Sequence, residues 1–258
     1  MLLAIDVGNT HTVIGLFRGA ELTAHWRIAT VAERTADEHR LWLQNIIGTE
    51  GFGREHLAGV AIASVVPAAT SALREVGPYL ADGPVVVVGP GIKTGMPILI
   101  DNPHEVGADR VVNAVAAYSR YGGPAIVVDF GTATTFDVVS GGGEYIGGAI
   151  APGLEVSVEA LHGATAALRT VEFRPPRTVI GKSTVEALQS GIIYGYSGLV
   201  DGINDRIAAA FSEPVQRVAT GGLASTIVPH CRTVETVDEF LTLEGLRLVF
   251  ERNTGTVQ

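Results

Sequence analysis

The chain has 258 residues, with 27 Asp and Glu against 18 Lys and Arg and a formal net charge of −9. Its composition, 47% hydrophobic and 17% charged, excludes wholesale disorder, and the acidic balance excludes nucleic-acid binding through bulk electrostatics. No stretch approaches the roughly 20 apolar residues that span a bilayer, Asp6 interrupts the apolar start before a signal-peptide core forms, and the one cysteine, Cys231, can make neither an intramolecular disulfide nor a thiolate zinc site, so a cytoplasmic protein with no membrane or nucleic-acid partner is expected.

Residues 2–5 read as a buried strand that runs into Asp6, Val7, Gly8, Asn9 and Thr10. A second apolar run, 13–17, a turn at Gly19 and a third strand over 22–28 complete a β-meander. Thr35 with Glu38 predicts a capping box opening a helix towards Ile47, followed by a strand over 60–66, a helix over 68–76 and a strand over 85–88. Pro90, Pro97 and Pro103 mark a loop over 89–103, and 110–121 carries apolar residues at helical spacing. The opening layout then returns: apolar residues 125–128, Asp129, a run over 136–139, a turn at 141–143 and a run over 145–150. One gapless offset, 129 − 6 = 123, matches Asp6 with Asp129, Gly8 with Gly131, Thr12 with Thr135, Gly19 with Gly142 and Glu21 with Glu144. Ser183 with Glu186 predicts a second capping box, opening a long Ala- and Gly-rich helical region, and a strand over 215–219 precedes Thr220, Gly221 and Gly222. Strands alternating with helices make an α/β protein. The repeat divides it into two similar lobes, 1–119 and 120–258, with the ligand expected in a cleft between them.

A strand that ends in aspartate and turns through Gly-Asn-Thr sets a carboxylate beside backbone N–H groups and short polar side chains, which suits a phosphate oxygen and a magnesium ion. Either turn alone is also an ordinary hairpin; two at one offset point beyond turn chemistry, although duplication by itself speaks of fold symmetry. Asp109 reads either as a helix N-cap with Arg110 solvated or as a general base beside a guanidinium that grips a carboxylate. Gly181-Lys182-Ser183-Thr184 imitates the end of a P-loop, but Pro176 stands where the motif needs glycine, so Ser183 and Thr184 read as a helix start whose hydroxyls can also reach a ligand. The Gly147–Gly148 to Pro152–Gly153 stretch and Thr220 to Gly222 read as turns, or as loops lying close to a bound nucleotide. Of the scattered histidines, His11 adjoins the first turn; Trp26 and Trp42 read as core.

With these segments laid out, the sequence resembles the type III pantothenate kinases, within the superfamily of acetate and sugar kinases, heat-shock chaperone ATPases and actin. The resemblance rests on Asp6-Val-Gly-Asn-Thr10, Asp101-Asn-Pro103, Gly107-Ala-Asp-Arg110, Asp129-Phe-Gly-Thr-Ala-Thr134, Gly147-Gly-Ala-Ile-Ala-Pro-Gly153, Thr220-Gly-Gly222 and Leu241-Thr-Leu-Glu-Gly-Leu246 in that order. It implies two ribonuclease H-like, actin-like ATPase lobes and ATP-dependent phosphorylation of pantothenate, the first step towards coenzyme A. It further implies that Asp6, Val7, Gly8, Asn9, Thr10, His11, Thr12 and Val13 form the ATP phosphate loop, with Asp6 also supporting Mg2+. Thr132 would be a further ATP contact. Gly107, Ala108, Asp109, Arg110 and Thr184 would contact pantothenate, Asp109 being the proton acceptor. Asp129 is similar to the family's monovalent-cation ligand, for K+ or NH4+, and a homodimer is expected. One departure stands at Ile100, where many members have tyrosine before Asp-Asn-Pro. The alternatives are a nucleotide-binding regulator of the same fold without catalysis and a kinase of another small hydroxy acid.

Overall fold

The computed structural model describes residues 1–165 and 171–255. It divides into two compact units, one comprising Met1–Ala116 and Leu241–Gln258, the other Ala117–Phe240. Among the described residues no helix is long and apolar enough to cross a membrane.

In the first unit, β1 (Leu2–Val7), β2 (His11–Arg18) and β3 (Glu21–Ala29) form the expected meander. Next come α1 (Ala36–Thr49), β4 (Gly59–Ser64), α2 (Pro67–Leu80) and β5 (Val85–Val87). The sheet order is β3-β2-β1-β4-β5, with β1 antiparallel to β2 and parallel to β4. Strand β1 is central, and Leu3 and Ile5 join Leu43, Ile62 and Leu73 in one buried cluster. The capping box at Thr35 is present in both directions. Helix α3 (Ala108–Tyr121) begins two residues earlier than its apolar spacing suggests and crosses the division between the units.

The second unit repeats the plan. Strands β6 (Ala125–Phe130), β7 (Ala133–Val139) and β8 (Tyr145–Pro152) form its meander, followed by α4 (Leu154–Gly163), α5 (Thr184–Ala208), β9 (Gln216–Thr220), the single turn α6 (Ala224–Ile227) and β10 (Thr236–Val237). Its sheet reads β8-β7-β6-β9-β10, again with the first strand antiparallel to the second and parallel to the fourth in order. Both units are therefore ribonuclease H-like α/β folds. Helix α7 (Leu241–Thr254), which follows β10 and was expected with the second lobe, belongs instead to the first unit. There its Phe250 ring sits so close to Gly59 of β4 that a β-carbon on Gly59 would lie 2.3 Å from it.

The repeat has a register that sequence offset alone misplaces. In β1 and β2, Asp6 lies opposite Val13 and Val7 opposite Thr12; in β6 and β7, Asp129 lies opposite Thr135 and Phe130 opposite Thr134. The counterpart of Thr12 is thus Thr134 rather than Thr135, and both are buried. The first turn carries three residues between its strands and the second carries two, Gly131 and Thr132. A longer turn between β7 and β8 restores the offset of 123, since Ala29 faces His11 as Pro152 faces Ala133. Within the meander, β7 is the strand that runs one residue out of step.

Candidate functional site

Each acidic turn is closed by its own glycine. Gly8 N–H donates to the His11 carbonyl at 2.9 Å and Gly131 N–H donates to the Ala133 carbonyl at 3.1 Å. These two N–H groups therefore hold the turns together and are not offered to a phosphate, which corrects the expectation of several unpaired backbone N–H groups at these two positions. The exposed residues at the tips are Asn9 and Thr10 in one turn and Gly131 and Thr132 in the other.

Residue Thr30, just past β3, locks the first turn. Its hydroxyl donates to the Gly8 carbonyl at 2.8 Å and lies 2.9 Å from the Thr12 hydroxyl, while its N–H donates to the Thr10 carbonyl at 2.9 Å. His11 is engaged by Arg27, whose guanidinium lies 2.9 Å from Nδ1. Neither Thr30 nor Arg27 follows from local pattern. The signal for them is register, because β3 returns antiparallel and brings Ala29 beside His11.

The first turn and the start of α3 meet through Val65. Its N–H donates to the Val7 carbonyl at 3.1 Å, and its side chain would touch a β-carbon on Gly107 at 3.5 Å. That same β-carbon would lie 2.5 Å from Asp109 Oδ1, so glycine at 107 leaves room for the carboxylate to fold back over the helix start. Asp109 is the second residue of α3, not its cap, and its Oδ1 accepts the Arg110 N–H at 2.8 Å. Burial pushes the Asp109 carboxyl above the ordinary carboxylate range; the hydrogen bond from Arg110 and its positive charge pull the other way and do not prevail. A half-buried carboxylate of raised proton affinity at a helix start is suited to general-base work. Val7, Gly8, Asn9, Thr10, Thr12, Val13, Gly107, Ala108, Asp109 and Arg110 all belong to the first unit, with Asp6 and His11.

In the second unit separated segments close on Asp129 and the turn that follows it. Gly221 adopts φ +90, a conformation natural to glycine, and a β-carbon there would lie 2.4 Å from Asp129 Oδ1. Gly153 packs on the turn from the other side: its N–H donates to the Thr132 carbonyl at 3.1 Å. Tyr196 of α5 secures this loop, its hydroxyl donating to the Gly153 carbonyl at 3.1 Å. Of the glycine-rich stretches, Gly221 lies against Asp129 and Gly153 against Thr132 in the turn that follows it, whereas Gly147 and Gly148 lie within strand β8 rather than in a turn or loop. Thr184, exposed in the first turn of α5, stands twelve residues before Tyr196, about 18 Å along the helix. Those contacts do not reach it.

The two aspartates differ in their flanks. By register Asp6 stands between Val13 and Ala63, both apolar, whereas Asp129 stands between Thr135 and Thr220. A carboxylate among hydroxyls and turn carbonyls is a set of hard oxygen donors of low total charge, which suits a weakly held alkali cation. A carboxylate at a turn suits magnesium that takes its remaining ligands from phosphates and water. Among the described residues no three His, Cys, Asp or Glu side chains converge into a metal cluster.

The model of the type III pantothenate kinase family matches residues 2–206. The type III pantothenate kinase of Streptomyces griseus subsp. griseus is 57% identical, over 99% of this chain and 99% of its own. That of Streptomyces avermitilis is 56% identical, over 98% of each. A Campylobacter jejuni protein whose crystal structure is described as that of a conserved Baf family transcriptional activator matches with TM-score 0.63 at 17% identity, covering 98% of this chain and 99% of that one; at that identity the likeness speaks of fold alone.

Proposed function

The chain belongs to the type III pantothenate kinase family, and from that premise we infer how its own residues carry the reaction. It is an ATP-dependent kinase of pantothenate, acting at the first step of coenzyme A biosynthesis. Asp109 accepts the proton of the attacking primary hydroxyl, and Gly107, Ala108, Arg110 and Thr184 hold pantothenate, Arg110 through its carboxylate. Residues Asp6 to Val13, with Thr132, hold ATP. The carrying observation is the Asp109 carboxylate, half-buried, raised in proton affinity and linked through Val65 to the first acidic turn. Phosphoryl transfer passes through a loose transition state, so in-line positioning and neutralisation of charge supply most of the rate. Magnesium, carried on ATP and supported by Asp6, supplies part of that neutralisation. Asp129, flanked by its threonines, takes K+ or NH4+, which offsets the repulsion between ATP and the carboxylates of an acidic chain.

Ile100, half-buried where many members have tyrosine, favours a second reading in which another small hydroxy acid is the better acceptor. A homodimer is supported by exposed Ile146 and Ile150 on the edge strand β8 and exposed Val156 and Leu161 on α4, the next element. The ATP supply fits a cytoplasmic setting. One preparation tests these readings: ADP release with Mg2+ and K+, with pantothenate, with a panel of hydroxy acids and with no acceptor, beside light scattering. The expected result is acceptor-dependent release that is greatest with pantothenate, falls when Na+ replaces K+, and comes from a particle of twice the chain mass. Release without acceptor preference would remove the substrate assignment, equal rates in both salts the Asp129 assignment, and a monomer the dimer.

A further inference from the structure

Asp137 of β7 has no accessible surface, and two hydroxyls are among the groups that hold its carboxylate. Tyr145, itself buried, donates to Oδ1 at 2.7 Å, and Thr135 donates to Oδ2 at 3.1 Å. An ionised carboxylate taken out of water is costly and persists where donors and a use compensate it. The fold does not require one here. With β7 one residue out of step, the counterpart of Asp137 in the first unit is Gly15, which faces His25 as Asp137 faces Gly148 and is covered by Leu243. The same strand position in the same architecture is thus filled without any polar group.

Register says what the carboxylate faces. Asp129 lies opposite Thr135, and Asp137 lies opposite Val127. Side chains two apart on a strand share a face, so Asp129, Thr135 and Asp137 stand on one side of the sheet, the two aspartates at diagonal positions whose Cα atoms are roughly 7–8 Å apart by strand geometry. Thr135 is the cross-strand neighbour of Asp129, and its hydroxyl is oriented by donating to Asp137. In the first unit the corresponding neighbours of Asp6 are Val13 and Gly15.

We propose that Asp137 is a positioning residue for the Asp129 cation site: its buried charge, together with the Thr135 hydroxyl it orients, strengthens the hold of Asp129 on a monovalent cation. This rests on Asp129 being the cation ligand. Two negative charges at diagonal strand positions in a partly buried setting raise cation affinity by about tenfold after screening.

The test uses the full-length chain with Mg2+ and ADP, read by the shift of the thermal-unfolding midpoint as KCl replaces choline chloride at constant ionic strength, since a cation bound only by the folded state stabilises it. Wild type, Asp129→Ala, Asp137→Asn, Tyr145→Phe and the double variant Asp137→Ala/Tyr145→Phe are compared. The double variant orphans no buried tyrosine hydroxyl and supplies a folded neutral form if Asp137→Asn does not fold. The expected result is a K+-dependent shift in wild type, its loss in Asp129→Ala, a K+ midpoint about tenfold higher in either neutral form, and a near wild-type midpoint in Tyr145→Phe, which keeps the charge. A midpoint within twofold of wild type in the neutral forms overturns the proposal while leaving Asp129 as ligand. An equal rise in Tyr145→Phe overturns it in favour of packing alone. Absence of a wild-type shift, or its survival in Asp129→Ala, removes the Asp129 reading and this inference with it.

Discussion

Asp109 concentrates the chemistry of the first unit, and its raised carboxyl has consequences for rate and for stability. As a base it must be ionised, so kcat/KM should fall towards acid with a limb lying above the ordinary carboxylate range, where its burial puts it. Asp109→Asn should bind ATP, lose about 10²- to 10⁴-fold in kcat and lose that limb. A carboxyl whose pKa is raised by folding binds protons more readily in the native state, so its ionised form opposes folding once pH passes the unfolded value of 3.8. The asparagine variant should therefore unfold at a temperature equal to or above that of wild type at neutral pH. A calorimetric scan beside the pH–rate profile checks both; full turnover would remove Asp109 from the base role. Asp6, Asp109 and Asp129 were visible in the sequence because each sits at the end of a strand or the start of a helix, where local pattern is strong. Thr30, Val65 and Asp137 were not, because what they do depends on residues 22, 58 and 8 positions away that only strand pairing and packing bring near.

At the scale of elements, the sequence is most legible where side chains talk to their own backbone. The Thr35 capping box forms in full, with the Glu38 carboxylate taking the Thr35 N–H at 2.8 Å. Thr35→Ala should cost about 0.5–2 kcal/mol in urea unfolding without changing the slope of the transition, and an unchanged midpoint would show that tertiary packing alone holds α1. The second box forms by half. Ser183 accepts the Glu186 N–H, but the Glu186 carboxylate turns to Arg177 at 2.6 Å and to the Lys182 N–H, tying the preceding loop to α5 instead. Helix α4 carried no such signal: Gly153 offers no capping side chain and only Leu154 of the helix is fully buried, so no apolar stripe marks it. Helix α2 runs through Pro78 to Leu80, beyond the predicted 76, held by burial of Leu73, Val76 and Leu80.

The whole molecule shows its pH sensitivity through a group far from the proposed chemistry. His39 of α1 is buried, and its Nδ1 accepts the Trp42 indole N–H at 3.3 Å. Burial first, and the Arg34 charge second, push its pKa down from 6.5 to about 4. A base with a depressed native pKa is bound by fewer protons in the fold than in the unfolded chain between those values. Stability is therefore complete above pH 6.5 and declines as pH falls from 6.5 towards 4, by no more than about 3 kcal/mol. Urea midpoints measured across that window should fall in wild type and much less in His39→Gln; parallel curves would exclude His39 as the cause. The amino-acid sequence by itself determined the α/β class, the duplicated meander, the acidic turns and the family, since these live in periodicity, turn residues and short motifs read along the chain. Tertiary structure alone decided that β7 runs one residue out of step, that α7 joins the first unit and that a carboxylate lies buried beside Asp129 where the twin strand has glycine. Backbone hydrogen bonds set register and apolar burial sets which helix covers which sheet, and both act between residues that the sequence leaves far apart.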